Sequence, residues 1–381
     1  MAESELQRMF NHYVALPHGA ERIRAKQEAL KRSDELDDLG WRLANRRNLA
    51  LEEFFHGDKA KALPVIAEYI EIFERNLANG RMVPTENRVE GYLRMLDMAL
   101  EVFETLPQLP MEQWRKMEEK YWSAMQRYHY GKADYFQKKF NQLLCEGSVQ
   151  EAEEFYRMWE EEQQTNHDQV VDCEGCIQYF RVRHALVQND WDGAVKEAQP
   201  LLGDDPGCSQ QPWRVLHLFM TESRDRGSRS SVKEYGKKLC MRLDWDENAD
   251  AMELLAYDAL FDLPHGLKAI ESCMERVLEK WDCLQRWRHF LETSLLLQQA
   301  AREHETLSLM LPQQLGCYRE DGQYHPAELS QWFYEEALKI AQKFDERNGF
   351  PYYQNAMEKA RAGMKQMTDA MEKAKHLEWR R

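Results

Sequence analysis

The stretch Cys173–Pro206, CEGCIQYFRVRHALVQNDWDGAVKEAQPLLGDDP, decides the fold class. Its apolar spacing predicts two short helices separated by a polar turn at Asn189-Asp190, with Trp191 directly after the turn. The small Ala194 stands where the second helix must approach the first closely, and Pro206 ends the unit. A unit of roughly 34 residues cannot bury its apolar faces alone, so the stretch predicts an array of stacked helical hairpins.

Polar turns followed by a small residue recur on both sides of this stretch. The pairs are Gly147 with Ala152, Asn189 with Ala194, Gly227 with Val232, and Pro264-His265-Gly266 with Ala269. Successive small residues are separated by about 37 to 42 positions, close to the length of a two-helix repeat. This recurrence predicts an all-α fold, an α-solenoid of antiparallel helical hairpins that is irregular at both ends.

Composition supports an all-α chain and argues against several partners. The 381 residues are 43% apolar, and only 18 glycines and 12 prolines interrupt a sequence rich in helix-forming residues. The formal net charge of −15 disfavours nucleic acid or an anionic membrane as the main partner, because phosphate binding needs a basic face.

Cysteine usage and the N-terminal residues predict a cytoplasmic location. Eight cysteines show no framework spacing, and MAESELQRMF lacks the basic-then-apolar pattern of a signal peptide. No apolar run approaches the roughly 20 residues of a membrane helix, so no membrane contact is expected.

Three segments are predicted along the chain. Residues 1–33 form two N-terminal capping helices interrupted at Leu16-Pro17-His18-Gly19, and Ser33 is the predicted N-cap of the next helix. Residues 34–282 form the helical repeats. Residues 283–381 form a C-terminal helical region, in which a long helix is predicted to end near Pro312 and a polar loop follows at Gln313–Tyr324.

The last predicted helix carries an apolar seam at steps of three and four residues. Its members are Met357, Ala360, Met364, Met367, Met371 and Ala374. Such a seam favours a capping helix over the last repeat, with methionine filling irregular gaps. Contact with a second copy of the chain, or with a partner helix, is the alternative interpretation.

Cys173–Pro206 resembles a tetratricopeptide repeat (TPR): Trp191, Ala194 and Pro206 match the family's turn aromatic, second-helix alanine and closing proline. Bulky Val182 departs from the pattern at a place usually given to a small residue. Elsewhere Ala50 with Ala62 and Ala152 with Tyr156 match, whereas Phe140 is larger than the family expects. The resemblance extends loosely over residues 34–280 and predicts fold far better than function.

The resemblance implies a concave groove lined by the first helix of each hairpin. The groove-facing positions carried over from the family pattern are Arg47, Gln137, Asn141, Tyr179, Arg183, Arg214, His217 and Asp258. Arginine and amide side chains can hydrogen-bond an extended peptide or clamp a carboxylate. A solvated face with incidental ion pairs is the competing interpretation for each residue.

Catalytic and cofactor signatures are absent from the sequence. It contains no G-x-x-x-x-G-K-[ST], no H-E-x-x-H and no G-x-S-x-G, so no enzyme activity and no cofactor are expected. The C-x-x-C pair Cys173 and Cys176 is interpreted as two ordinary cysteines at a helix start, because zinc in a structural site needs four ligands.

Three functions are therefore compatible with the sequence. The first is a non-enzymatic module that binds a protein or peptide partner in the groove. The second is a peptide-responsive cytoplasmic regulator, similar in length and all-helical build to the bacterial Rap-type receptors. The third is an acidic inhibitor or immunity protein that neutralises a basic partner, which the net charge of −15 favours.

Overall fold

The computed structural model describes residues 4–165, 172–203, 206–242, 250–280 and 282–378. These residues form an all-helical chain in which consecutive helices pack on each other, as the sequence predicts. Two-residue strands, β1 (Leu307–Ser308) and β2 (Gln323–Tyr324), form a small antiparallel hairpin. None of the helices in the described ranges combines the length and apolarity needed to span a membrane.

Most of the described residues belong to α-helices. They are α1 (Glu5–Ala15), α2 (Ala20–Glu35), α3 (Leu39–His56), α4 (Lys59–Ala78), α5 (Glu86–Thr105), α6 (Met111–Tyr128), α7 (Ala133–Cys145), α8 (Val149–Thr165), α9 (Glu174–Val187), α10 (Trp191–Glu197), α11 (Trp213–Asp225), α12 (Arg229–Cys240), α13 (Leu255–Phe261), α14 (Leu263–Lys280), α15 (Cys283–Ala300), α16 (Pro326–Asn348) and α17 (Tyr352–Glu378). Short 3-10 helices span Gln199–Leu202 and Asp250–Leu254.

The chain divides into two compact units. The first comprises Met1–Phe140, Glu153–Val171 and Lys280–Leu284, and the second comprises Asn141–Ala152, Asp172–Glu279 and Gln285–Arg381.

In the first unit, α1 to α6 pack in sequence order. The apolar face of α4 is buried and consists of Ala62, Ile66, Tyr69, Ile70 and Phe73. Phe73 stacks on Tyr92 of α5 with ring centroids 4.3 Å apart. The predicted break before α2 is present, but the predicted N-cap at Ser33 is wrong. Ser33 lies inside the last turn of α2, where its hydroxyl donates to the Leu30 carbonyl, and Asp38 caps α3 by accepting from the Trp41 amide.

In the second unit, α9 pairs with α10 and α11 pairs with α12. The predicted turn residues Gly147, Asn189 and Gly227 all have positive φ, at 79°, 59° and 70°. This left-handed conformation suits glycine and asparagine, so the recurring polar turns are recurring reversals of the chain. The small residues that follow are buried, including Ala194 at 0% exposure.

Two predicted boundaries in the second unit are wrong. Pro264-His265-Gly266 is not a turn, because α14 already begins at Leu263 and these residues form its first turn. The helix predicted to end near Pro312 stops at Ala300 and is followed by β1. The helix propensity of the residues beyond Ala300 does not decide their conformation, because Leu307 and Ser308 pair with β2.

The C-terminal helix α17 packs against α16 and α11. Its seam residues Met357, Ala360, Met364 and Met367 are at most 1% exposed, and Met371 is half-buried. The side chain of Ala374 lies outside the described residues. Met357, Met364 and Met367 are therefore buried within their own chain.

Candidate functional site

The predicted groove residues lie on five helices and in both units. Arg47 on α3 and Gln137 on α7 belong to the first unit. Five more belong to the second unit and cluster on α9, α11 and their neighbours: Tyr179, Arg183, Arg214, His217 and Asp258. Asn141, at the second unit's part of α7, is half-buried. The second unit therefore carries most of the candidate site.

Tyr179 and Arg214 are brought together by the packing of successive hairpins. The Arg214 guanidinium carbon lies 4.4 Å from the centroid of the Tyr179 ring, and one guanidinium nitrogen donates to Gln210 Oε1 at 3.2 Å. Such a stack contributes about 0.5–1 kcal/mol where it is partly exposed, and it holds the guanidinium plane in a fixed orientation. Both side chains are half-buried, so part of each remains accessible.

Arg183, one turn after Tyr179 on α9, lies beside Tyr352 at the start of α17. Burial raises the pKa of Tyr352 to about 12, and the Arg183 charge opposes that rise. Farther along α17, the Lys359 ammonium pairs with the Glu222 carboxylate of α11 at 3.2 Å. The C-terminal helix therefore approaches α9 near Arg183 and α11 at Glu222. Arg183 and Glu222 lie at least one helical turn C-terminal to Tyr179 and Arg214 on their respective helices.

His217 has an internal partner. Its Nε2 lies 2.9 Å from the carboxylate of Glu253, and His289 of α15 lies 3.9 Å from the other carboxylate oxygen. Burial opposes ionisation of Glu253, but the two imidazoles outweigh it and lower the pKa of Glu253 below its ordinary value. Burial also lowers the pKa of His289 to about 3. This cluster links α11, α15 and the 3-10 helix before α13.

Asp258 is placed inside the second unit. Its carboxylate is 1% exposed and lies 2.8 Å from Nδ1 of His265. Burial raises the pKa of Asp258 to about 7, although the His265 imidazole opposes that shift. Asp258 is therefore a buried residue that hydrogen-bonds within its own unit.

Arg47 and Gln137 occupy different settings in the first unit. Arg47 is exposed, and its guanidinium is close to Gly91 and to the Tyr69 hydroxyl. Burial raises the pKa of Tyr69 to about 12, against the opposing charge of Arg47. Gln137 is half-buried on α7.

A cavity between α4, α5 and α6 was not predicted from the sequence. It measures about 390 Å³ and is lined by Phe73, Glu74, Leu77, Ala78, Tyr92, Lys120, Ser123, Ala124, Arg127 and Tyr128. Glu74 accepts from the Tyr92 hydroxyl at 2.6 Å and from the Lys120 ammonium at 2.9 Å. The cavity therefore combines an aromatic wall with a charged rim. The wall takes one aromatic residue from each of the three helices, so no local spacing in the sequence indicates it.

A cluster of His18, Glu52 and His56 in the first unit has potential metal-ligating atoms within 4.8 Å of one another. The Glu52 carboxylate is already satisfied, since it accepts from the Lys26 ammonium at 2.7 Å and from the Gly19 amide at 3.1 Å. These contacts outweigh burial and lower the pKa of Glu52 to about 2. Because Lys26 supplies the positive charge that a metal would bring, the cluster is an internal ion pair.

Cys173 and Cys176 have a third thiol beside them that the C-x-x-C spacing did not reveal. The sulfur atoms of Cys173, Cys176 and Cys208 all lie within 4.8 Å of one another, next to the first turn of α9. All eight cysteines of the chain are free thiols.

Comparison with protein-family models, with curated protein sequences and with solved structures finds no match to this chain.

Proposed function

We propose that the second unit is a non-enzymatic, TPR-like binding module that holds a peptide or a partner helix against α9 and α11. Tyr179 and Arg214 form the centre of the binding face, and Arg183 marks its edge beside α17. The hairpins α9–α10 and α11–α12 supply the repeat geometry that this proposal requires. The partner segment carries a carboxylate, from an acidic side chain or a C-terminus, that the guanidinium groups bind.

The proposal depends on the orientation, the burial and, among the described residues, the missing carboxylate partners of Arg183 and Arg214. Arg214 is oriented by the Tyr179 ring at 4.4 Å, and both Arg183 and Arg214 are half-buried. Across the described ranges, no carboxylate lies within the 4.0 Å ion-pair distance of either guanidinium, in a chain with 66 acidic residues. A pre-oriented guanidinium with spare donors is suited to bidentate recognition of a carboxylate.

The test is a peptide-display selection on the full chain, followed by fluorescence anisotropy with the selected peptides. Arg183→Glu combined with Arg214→Glu should weaken binding by about tenfold or more, which corresponds to at least about 1.4 kcal/mol. The melting temperature should stay close to that of the wild type, because both side chains are partly exposed. Tyr179→Ala should weaken binding less, since it removes only the surface that orients Arg214.

A matched control reverses two exposed lysines on the second helices of the same hairpins, Lys196→Glu with Lys237→Glu. This variant has the same change in net charge and should bind the selected peptides as the wild type does. Equal binding by the arginine variant and the wild type would show that α9 and α11 do not form the binding face. Selection of peptides without any carboxylate would contradict the proposed recognition chemistry.

The cavity of the first unit favours a second candidate function, regulation by a small peptide or other small ligand. Its volume of about 390 Å³ is within the range of small-molecule sites, and its aromatic wall and charged rim could fix a ligand's orientation. A ligand that binds the folded chain raises its melting temperature by mass action. Ser123→Trp, at an exposed lining position, should fill the mouth of the cavity and abolish such a shift without affecting binding at Arg214.

A further inference from the structure

The three thiols of the second unit approach each other at the distances of a metal-thiolate site. Cys173 is the N-cap residue of α9, Cys176 lies in its first turn, and Cys208 precedes α11 by five residues. The sulfur atoms of Cys176 and Cys208 are 3.8 Å apart, and all three sulfurs lie within 4.8 Å of one another. A tetrahedral zinc ion with Zn–S bonds of about 2.3 Å separates its sulfur ligands by about 3.8 Å.

Gly175 makes this approach possible. A Cβ atom built at Gly175 would lie 2.5 Å from Cβ of Cys208 and 2.8 Å from the carbonyl oxygen of Pro206. Any larger residue at this position would therefore push the segment of Cys208 away from α9. Glycine is therefore required at position 175 for steric reasons, because the backbone next to Cys208 packs directly on it.

The surroundings of the thiols favour ionisation at Cys173. Burial opposes ionisation there, but hydrogen bonds from the Cys176 amide and from the Cys208 thiol outweigh it and lower the pKa of Cys173. The first turn of α9 adds the positive end of a helix dipole. Burial raises the pKa of Cys176, and the nearby Asp172 carboxylate adds to that rise.

We propose that Cys173, Cys176 and Cys208 together bind one Zn²⁺ ion per chain. Cys173 is exposed, so water can supply the fourth ligand of the ion. On binding, the thiols that are still protonated release their protons to solvent as the Zn–S bonds form. The ion then joins the start of α9 to the segment before α11 and so fixes the spacing of the two helices that carry Tyr179 and Arg214. The zinc site itself does not depend on peptide binding there.

The experiment uses the full chain, reduced with a phosphine and freed of metal by dialysis against a chelator. Titration with Zn²⁺ in competition with a chromophoric chelator should give one ion per chain. Titration with Co²⁺ should give a thiolate-to-cobalt charge-transfer absorption. Cys208→Ser should abolish both signals, and Cys240→Ser, which removes a half-buried thiol of α12 outside the cluster, should leave them unchanged.

Gly175→Ala separates the geometry of the site from the presence of its thiols. It keeps all three cysteines but displaces Cys208, so Zn²⁺ affinity should fall by about 10- to 100-fold, the range seen when supporting contacts of a metal site are lost. Circular dichroism and the number of titratable thiols report whether this variant is folded and reduced. Zn²⁺ should also raise the melting temperature of the wild type but not that of Cys208→Ser.

Three results would overturn the proposal. The first is a fully reduced wild-type chain that takes up no stoichiometric Zn²⁺. The second is uptake by Cys208→Ser equal to that of the wild type. The third is a spontaneous loss of two titratable thiols with no metal uptake, which would make the cluster a disulfide-forming group instead of a metal site.

Discussion

Gly363 of α17 packs directly on the backbone of Arg224, at the C-terminal end of α11. A Cβ atom at Gly363 would lie 2.9 Å from the carbonyl carbon of Arg224, closer than side-chain carbons normally approach. A few residues farther along, Gln366 of α17 lies against Gly227, the left-handed residue of the turn between α11 and α12. The C-terminal helix is therefore seated backbone to backbone on the end of a hairpin.

Gly363→Ala should destabilise the second unit. Alanine favours the helical state by about 0.8–1 kcal/mol over glycine, but the steric conflict with α11 costs about 1–3 kcal/mol, and we expect a net loss. Urea denaturation followed by circular dichroism measures it. Gly40→Ala, at an exposed position in the first turn of α3, is the control and should be neutral or stabilising. A stabilised Gly363→Ala chain would show that α17 is not seated as described.

Met364→Ala tests whether the seam of α17 is a core. Met364 is 0% exposed, so truncation leaves a cavity and should cost about 2–5 kcal/mol in free energy of unfolding. Met310→Ala is the matched control, because Met310 is 82% exposed and its loss should change stability by less than about 0.5 kcal/mol. Similar small effects of both substitutions would mean that α17 is not packed in solution.

Glu52 should give the first unit an acid-sensitive contribution to stability. Its folded-state pKa of about 2 is below the ordinary value of 4.5, so the contribution is present above pH 4.5 and is lost as pH falls through 2. Glu52→Gln should cost about 3–5 kcal/mol at neutral pH, because Lys26 is left buried without its partner. The difference from the wild type should shrink in urea melts between about pH 5 and pH 2. Glu71→Gln, which removes an exposed partner of Arg75, should show a difference below about 1 kcal/mol at every pH.

Asp258 should act with the opposite sign. Its folded-state pKa of about 7 is above the ordinary value of 3.8, so the neutral acid stabilises the fold below pH 3.8 and this contribution is lost as pH rises through 7. Asp258→Asn is permanently neutral, so the wild type should lose stability relative to it between about pH 4 and pH 8. The exposed Asp192→Asn should show a constant difference over the same range. A gap that widens in favour of the wild type at high pH would instead show a stabilising Asp258–His265 ion pair.

Local patterns predicted the helices and turns well where one face of a helix is buried. The recurring turns predicted at Gly147, Asn189 and Gly227 are confirmed, because left-handed turns are set within a few residues. The N-cap predicted at Ser33 was wrong because a local pattern cannot distinguish a capping serine from one inside a helix. Serine also satisfies its hydroxyl inside a helix, and only the packed chain shows which choice it makes.

The candidate site shows the same division. Periodicity and the resemblance predicted Tyr179, Arg183 and Arg214 on the first helices of hairpins. The packed hairpins bring Tyr179 and Arg214 into contact. His217 and Asp258 also occupy positions that face the groove in the family pattern. That pattern could not indicate their internal partners, Glu253 and His265. Cys208 lies 32 residues beyond Cys176, and no local spacing indicates that their sulfurs meet.

By itself, the sequence determined that this protein is all-helical, where most of its hairpins turn, and that α17 has a methionine seam to bury. These properties depend on propensity and on periodicity within one or two turns of helix. The tertiary structure alone decided what the seam packs against, which polar groups have internal partners, and that the distant Cys208 lies beside Cys173 and Cys176. Those outcomes depend on contacts between residues far apart in the chain, whose free energies arise only when packing brings the groups together and removes water from them.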